Sequence, residues 1–213
     1  MTWDALIKDL RNCPIDESVA IAYYLEGPDK FYEWHNLVMQ KFPKVIVIGI
    51  YDNVKMESIT INDKVALICC NNNLKEIIGP NLTSCICRDN KLTTLNLPKT
   101  STIDCENNLL TSINCPTARS LRCFNNKLTS IKADKVRTIN CVNNNLTELS
   151  LPDARIVECY DNKIKTLRLP NVKVLKFDNM NENLWINNPS VVEYYDKNNN
   201  VIPFNSITNR FSS

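Results

Sequence analysis

The sequence predicts a mainly β fold, a solenoid of stacked 18-residue coils with parallel strands and a small α-helical N-terminal cap. Two observations support this prediction. Six of the ten cysteines in this 213-residue chain recur every 18 residues without an insertion. Around each of them, an apolar residue lies two positions before, an asparagine three positions after, and a leucine or isoleucine five positions after. The six are Cys69, Cys87, Cys105, Cys123, Cys141 and Cys159.

Each coil is expected to contain two short strands and two corners. The apolar-any-Cys triplet and a second triplet, as in residues 95–97, both have the period of two of a strand with one buried face. Because 18 residues leave no room for a helix as well, each unit is a flat coil that pairs in parallel with its neighbours at ~4.8 Å. We expect about eight coils over residues 45–192, with the clean repeats at 67–174, and a C-terminal cap or tail over residues 193–213.

Residues 1–44 have a different pattern and are predicted to form a helical N-terminal cap. Three short helices are expected, over residues 3–10, 19–25 and 28–42. Such a cap is needed because an open coil end exposes unpaired strand edge and core. His35, the only histidine, is interpreted as part of this cap rather than as a catalyst.

The repeating columns have structural interpretations. The cysteine column, which continues into Tyr51 and Phe177, is expected to point inward as small apolar filler, since stacked cysteines have poor geometry for disulfides or a tetrahedral metal. Outside the column, Cys70 is expected to be the more exposed thiol and Cys85 to face inward. The asparagine column is expected to bond corner backbone groups. The residues just before those asparagines are expected to adopt left-handed backbone; they are Asn71, Asp89, Asn107, Asn125, Asn143 and Asp161.

The unit resembles the consensus of the leucine-rich repeat family, and the Leu-Pro that closes several units is similar to the short bacterial-type subclass. Repeats this short, rich in Asn and Lys and poor in Gly, also resemble proteins of large DNA viruses of amoebae. The resemblance implies a solenoid that binds proteins through its concave face. It is carried by Leu82-x-x-Cys85-x-Cys87-x-x-Asn90-x-Leu92 and Val136-x-x-Ile139-x-Cys141-x-x-Asn144-x-Leu146.

Composition argues against several other classes. Three glycines leave no Gly-rich phosphate loop, and a single histidine removes paired-His metal sites, so no catalytic residue, metal or cofactor is predicted. A net charge of +2 argues against nucleic-acid binding. The sequence contains no apolar run long enough for a membrane span, and we expect no signal peptide. We therefore expect a cytoplasmic, intracellular protein, in host cytoplasm or a virion if its origin is viral, with reduced thiols.

The non-repeating outward positions beside the cysteines are the candidate partner-binding surface. Phe124, Val142 and Tyr160 fall in one column on three successive coils and form an apolar stripe about 10 Å long, rimmed by charges. The alternative is that this stripe only stabilises the sheet by cross-strand contacts. The predicted surface comprises Arg88, Asp104, Glu106, Arg122, Phe124, Val142, Glu158 and Tyr160.

Four cations also share one register just before the concave strand, and we call them the basic ladder: Arg119, Arg137, Arg155 and Lys173. The favoured interpretation is a solvated face, or one paired internally with Asp134, Asp153 and Glu158. A surface for an acidic partner is the alternative, and no interleaved aromatics support nucleic acid.

The sequence thus predicts a non-enzymatic scaffold that binds an unidentified protein, with no small-molecule substrate, as a monomer or weak homo-oligomer. The alternative is a structural protein that self-assembles through solenoid ends or its lateral sheet.

Overall fold

The computed structural model describes residues 19–23, 28–41, 47–51, 56–177, 185–187 and 193–201. The repeats form a parallel β-solenoid of about seven turns with a spacing of about 18 residues, where the sequence predicted about eight coils. The predicted helix over residues 3–10 and most of the C-terminal tail lie outside the described residues.

One wide parallel sheet, which we call the front sheet, runs the length of the solenoid. It has ten strands, and each one pairs in parallel with the next. In this order they are β1 (Val19–Tyr23), β2 (Val47–Tyr51), β4 (Ala66–Ile68), β6 (Ser84–Ile86), β8 (Thr102–Asp104), β10 (Ser120–Arg122), β12 (Thr138–Asn140), β14 (Ile156–Glu158), β16 (Val174–Lys176) and β18 (Glu193–Tyr195).

Two shorter parallel sheets are formed by the second strand of each coil. The first back sheet has five strands, β3 (Ser58–Thr60), β5 (Glu76–Ile78), β7 (Thr94–Asn96), β9 (Ser112–Asn114) and β11 (Ser130–Lys132). The second back sheet has three, β13 (Glu148–Ser150), β15 (Thr166–Arg168) and β17 (Trp185–Asn187). The front sheet is continuous where the back sheets separate, between β11 and β13. This interruption follows the coil that has Ala133-Asp134 at the position where the coils on either side have Cys115-Pro116 and Leu151-Pro152.

The 18-residue register holds throughout the predicted clean repeats, from Ala66 opposite Ser84 to Ile156 opposite Val174. Before them the spacing is 19, because Val47 pairs with Ala66. That extra residue corrects the predicted cysteine column, since it puts Ile50 rather than Tyr51 opposite Cys69. At the other end Phe177 is buried at 4% exposure, as predicted.

The N-terminal region contains a single described helix, α1 (Pro28–Lys41), which matches the third predicted helix. Its Phe31, Trp34 and Val38 are fully buried against the first coils. The backbone N–H of Thr60 donates to the Tyr32 hydroxyl at 2.8 Å, which ties the helix to the first back sheet.

The prediction of a helix over residues 19–25 is wrong, because Val19–Tyr23 is the strand β1. It pairs in parallel with Val47–Tyr51, and α1 forms the crossover between the two strands. A segment that alternates Ala with Val, Ile and Tyr has good β-propensity, and the edge of β2 offers it a complete set of backbone partners.

Candidate functional site

The buried asparagine column determines the backbone on which the candidate site stands. In five coils, each asparagine Nδ2 donates to carbonyls of its own coil and of the coil before, at 2.8–3.3 Å. The carbonyls of Phe124, Val142 and Tyr160 are among the acceptors. The backbone of the predicted apolar stripe is therefore fixed from inside the solenoid. These asparagines are Asn90, Asn108, Asn126, Asn144 and Asn162.

The residues before the asparagines have positive φ, between 51° and 57°, in all six coils where this was predicted. Asn and Asp tolerate this left-handed conformation better than other residues with a side chain. Three hydrogen bonds also link four of them along the exposed edge: Asn107 donates to Asp89, Asn125 to Asn107 and Asn143 to Asn125, at 2.8–2.9 Å. The turns thus need no glycine.

On the outer side of the front sheet, which we call the front face, four predicted partner-binding residues pair with one another instead of presenting free charges. We call them the front charge cluster: Arg88, Asp104, Glu106 and Arg122. The Glu106 carboxylate lies 3.0 Å from Arg122 Nη2 and 3.7 Å from Arg88 Nη1. Arg122 Nε also lies 3.7 Å from Asp104 Oδ2. As a result Glu106 is buried, at 7% exposure.

Asp104 is the member of the front charge cluster whose negative charge is least well compensated. Burial and the like charge of Glu106 raise the pKa of Asp104, and the attraction of Arg122 offsets this only in part. Its Oδ1 atom is buried and has no hydrogen-bond partner among the described residues.

Phe124, Val142 and Tyr160, the residues of the predicted apolar stripe, lie at equivalent positions of three successive coils. Val142 is largely covered, at 8% exposure, while the two aromatic rings remain half-buried. The Arg122 guanidinium lies 5.5 Å from the centroid of the Phe124 ring, so the front charge cluster contacts one end of the stripe.

The far end of the stripe is flanked by a second neutralised group. Glu158, another predicted partner-binding residue, lies 3.0 Å from Lys176 Nζ and accepts a 3.0 Å hydrogen bond from Asn140 Nδ2. Glu158 and Lys176 side chains are each 26% exposed. The charges at both ends of the stripe are therefore balanced within the protein.

The basic ladder lies at the corner that precedes the front strands. Backbone N–H to carbonyl bonds of 2.8–2.9 Å from each member to the one before hold Arg119, Arg137, Arg155 and Lys173 in register. All four are exposed. No ion pair among the described residues includes their side chains, although the sequence suggested pairing with nearby acids. Asp153 instead pairs with Lys135 at 3.3 Å, and Glu158 with Lys176.

A cleft of about 340 Å³ lies along the basic ladder. It is lined by Arg137, Arg155 and Lys173, together with Asp153 and Asn171. Sequence reasoning missed the cleft, although Asp153 and Asn171 both stand two positions before a member of the ladder. The shape of the corner that opens the cleft is not encoded in the repeat pattern.

The cysteines are free thiols in the described part of the chain, and the predicted column is buried. Burial raises the pKa of Cys105 and Cys123, and the pKa of Cys115 and Cys141 to about 12. Cys70 is the half-exposed exception, as predicted.

Cys69, Cys85 and Cys87 form a buried thiol cluster. The Cys69 and Cys87 thiols both interact with the Cys85 sulfur, which makes the pKa of Cys85 lower than theirs. Among the described residues no group of three His, Cys, Asp or Glu side chains is arranged to hold a metal ion.

Comparison with known protein families, with curated proteins and with solved structures finds no match to this chain. The described part of the chain contains no helix with the length and hydropathy needed to cross a membrane.

Proposed function

We propose that this protein is a non-enzymatic, short-repeat leucine-rich repeat scaffold that binds a partner protein through its front face. The partner would cover the apolar stripe with an apolar patch of its own. The observation that carries the proposal is the balanced charge on both sides of the half-buried Phe124 and Tyr160 rings.

Charge balance matters because binding removes water from a surface. An unpaired charge buried under a partner costs several kcal/mol. Glu106 already has Arg88 and Arg122 as partners, and Glu158 has Lys176. A partner can therefore cover the half-buried aromatic rings without stranding these charges, which is how aromatic hot spots ringed by near-neutral contacts are built.

Rigidity also supports the proposal. The carbonyls of Phe124 and Tyr160 are held by Asn126 and Asn162 at 3.2 Å and 3.3 Å. Side chains on a fixed backbone lose less conformational freedom on binding. The buried free thiols are compatible with the reducing cytoplasm assigned to the protein in this proposal. The attribution to a large DNA virus of amoebae rests on repeat length and composition, and it stays a prediction.

The test is affinity capture from a lysate of the source cells with three matched baits. They are the wild type, Phe124→Ala/Tyr160→Ala, and Ile78→Ala/Leu109→Ala, which removes two exposed apolar side chains elsewhere on the solenoid. The proposal expects a protein retained by the wild type and the control but lost with the front-face variant. All three baits should melt at nearly the same temperature.

Retention of the same proteins by all three baits would contradict the proposal. A lowered melting temperature of the front-face variant with capture intact would assign the stripe to sheet stability instead. Light scattering of the wild type tests the self-assembly alternative: a mass that grows with concentration and falls back to the monomer in Phe124→Ala/Tyr160→Ala would replace the partner with a second copy of this chain.

A further inference from the structure

We propose that the basic ladder is a second binding site, which takes an extended acidic segment of a protein. The inference rests on the proposed scaffold function in one respect only, which is that the ligand is a protein. It concerns a different surface, the corner before the front strands rather than the front face.

The first argument is the geometry of the basic ladder. Its four members are locked at the spacing of the coils by backbone hydrogen bonds, so three intervals of ~4.8 Å extend the row over about 14 Å. All four side chains are exposed. Like charges so close to one another repel, and nothing in the repeat requires them, because the preceding coil has Ser101 at the same position.

The second argument is that no acid among the described residues pairs with the cations of the basic ladder. On the front face each described acid has a basic neighbour, as Glu106 has Arg122 at 3.0 Å. At the basic ladder the nearby Asp153 is used by Lys135, on the column beside it. The cleft of about 340 Å³ is thus lined by three cations and by one carboxylate that is already paired.

The third argument selects the ligand. Four charges in a line suit an elongated polyanion, whereas a single phosphate needs donors that converge on one point. The columns on either side of the ladder contain no aromatic residue on which a nucleic-acid base could stack; they are Thr117, Lys135, Asp153 and Asn171 on one side and Ser120, Thr138, Ile156 and Val174 on the other. An extended peptide rises about 3.3 Å per residue, so about five residues cover the row. Arginine binds carboxylates through paired hydrogen bonds.

The probe is a fluorescein-labelled hexaglutamate peptide, and binding is followed by fluorescence anisotropy with the full chain. Arg137→Gln/Arg155→Gln is expected to bind about tenfold more weakly, the effect of losing two exposed charge contacts. The matched control, Lys127→Gln/Lys163→Gln, removes the same charge from exposed positions at another corner and should bind as the wild type does. Raising NaCl from about 0.01 M to about 1 M shortens the Debye length from about 30 Å to about 3 Å and should abolish binding.

Several outcomes would overturn this inference. Equal weakening in both variants would make the effect one of net charge, and equal binding of hexaglutamine would remove the role of carboxylates. Tighter binding of a hexathymidylate would assign the ladder to nucleic acid, and displacement of the peptide by equimolar tripolyphosphate would assign it to a small anion. Phe124→Ala/Tyr160→Ala should bind hexaglutamate normally, so failure of the front-face proposal and failure of this one are separate results.

Discussion

Asn108 Nδ2 donates to the backbone carbonyl of Cys87, 3.0 Å away and one coil earlier in the stack. The same amide donates to the carbonyls of Cys105 and Glu106 in its own coil, at 3.1 Å and 3.2 Å. Its Oδ1 accepts the N–H of Leu92 at 3.0 Å. One buried side chain therefore satisfies four backbone groups from two coils, so the asparagine column links neighbouring coils at one of their two corners as well as shaping the turn.

Asn108→Ala should lower the free energy of unfolding by about 3 kcal/mol or more, because it leaves several buried backbone groups without partners. Urea unfolding followed by circular dichroism measures this loss. Asn96→Ala is the control, since Asn96 is exposed and its Oδ1 accepts only a side-chain bond, from Asn114. A comparable loss of unfolding free energy in both variants would contradict the idea that the buried asparagine bonds between coils stabilise the fold more than an exposed amide does.

Asn107, which has a φ of 54°, tests the left-handed corners. Asn107→Ala and Asn107→Gly both lose the exposed bond to Asp89, so their difference isolates the backbone. We expect the Ala variant to be less stable than the Gly variant by about 1 kcal/mol, because a Cβ disfavours left-handed backbone. Thermal and urea unfolding of the pair measure it, and an Ala variant as stable as the Gly variant would contradict this account.

Asp104→Asn should unfold at the same temperature as the wild type or a higher one at pH 7. The pKa of Asp104 is raised in the folded state, so its ionised form opposes folding at neutral pH. This penalty is relieved as pH falls through the raised pKa and is absent below the ordinary Asp value of about 4. The advantage of the variant should therefore vanish in melting curves recorded at about pH 3.

Glu106→Gln is the matched comparison within the front charge cluster. It removes the charge that holds Arg88 and Arg122, and should cost about 1 kcal/mol at pH 7, a modest value because those arginines are 45% and 54% exposed. If Asp104→Asn lowers stability more than Glu106→Gln does, the account in which the ionised Asp104 carboxylate opposes folding is wrong.

Cys70 should be the only one of the nine described cysteines that reacts promptly with a thiol reagent under native conditions. It is half-exposed, whereas the other eight are buried and several have a raised pKa. Cys13 lies outside the described residues, so the experiment uses a Cys13→Ser background. Mass spectrometry should show one label, which Cys70→Ser abolishes; prompt labelling of column cysteines would contradict the buried core.

Much of the fold could be predicted because each coil repeats one local solution. Cys105 and Asn108 stand at fixed places in an 18-residue unit, so periodicity alone predicts a buried thiol and a corner amide. The strand Val19–Tyr23 could not be predicted this way, because its partner β2 lies beyond a helix in the chain. That Ile50, and not Tyr51, lies in register with the cysteine column likewise depends on the pairing of Val47 with Ala66, 19 residues later.

The candidate surfaces were also predictable in part, in the residues they contain but not in the ion pairs these residues form. The sequence by itself determined which residues share a column, and so the composition of the apolar stripe and of the basic ladder, because parallel coils of equal length bring positions 18 apart side by side. Only the tertiary structure decided that Glu106 is covered between Arg88 and Arg122, and that the cations of the basic ladder form no ion pair among the described residues. The reason is physical: ion pairing depends on distances of a few ångströms between side chains in different columns, which the repeat period does not encode.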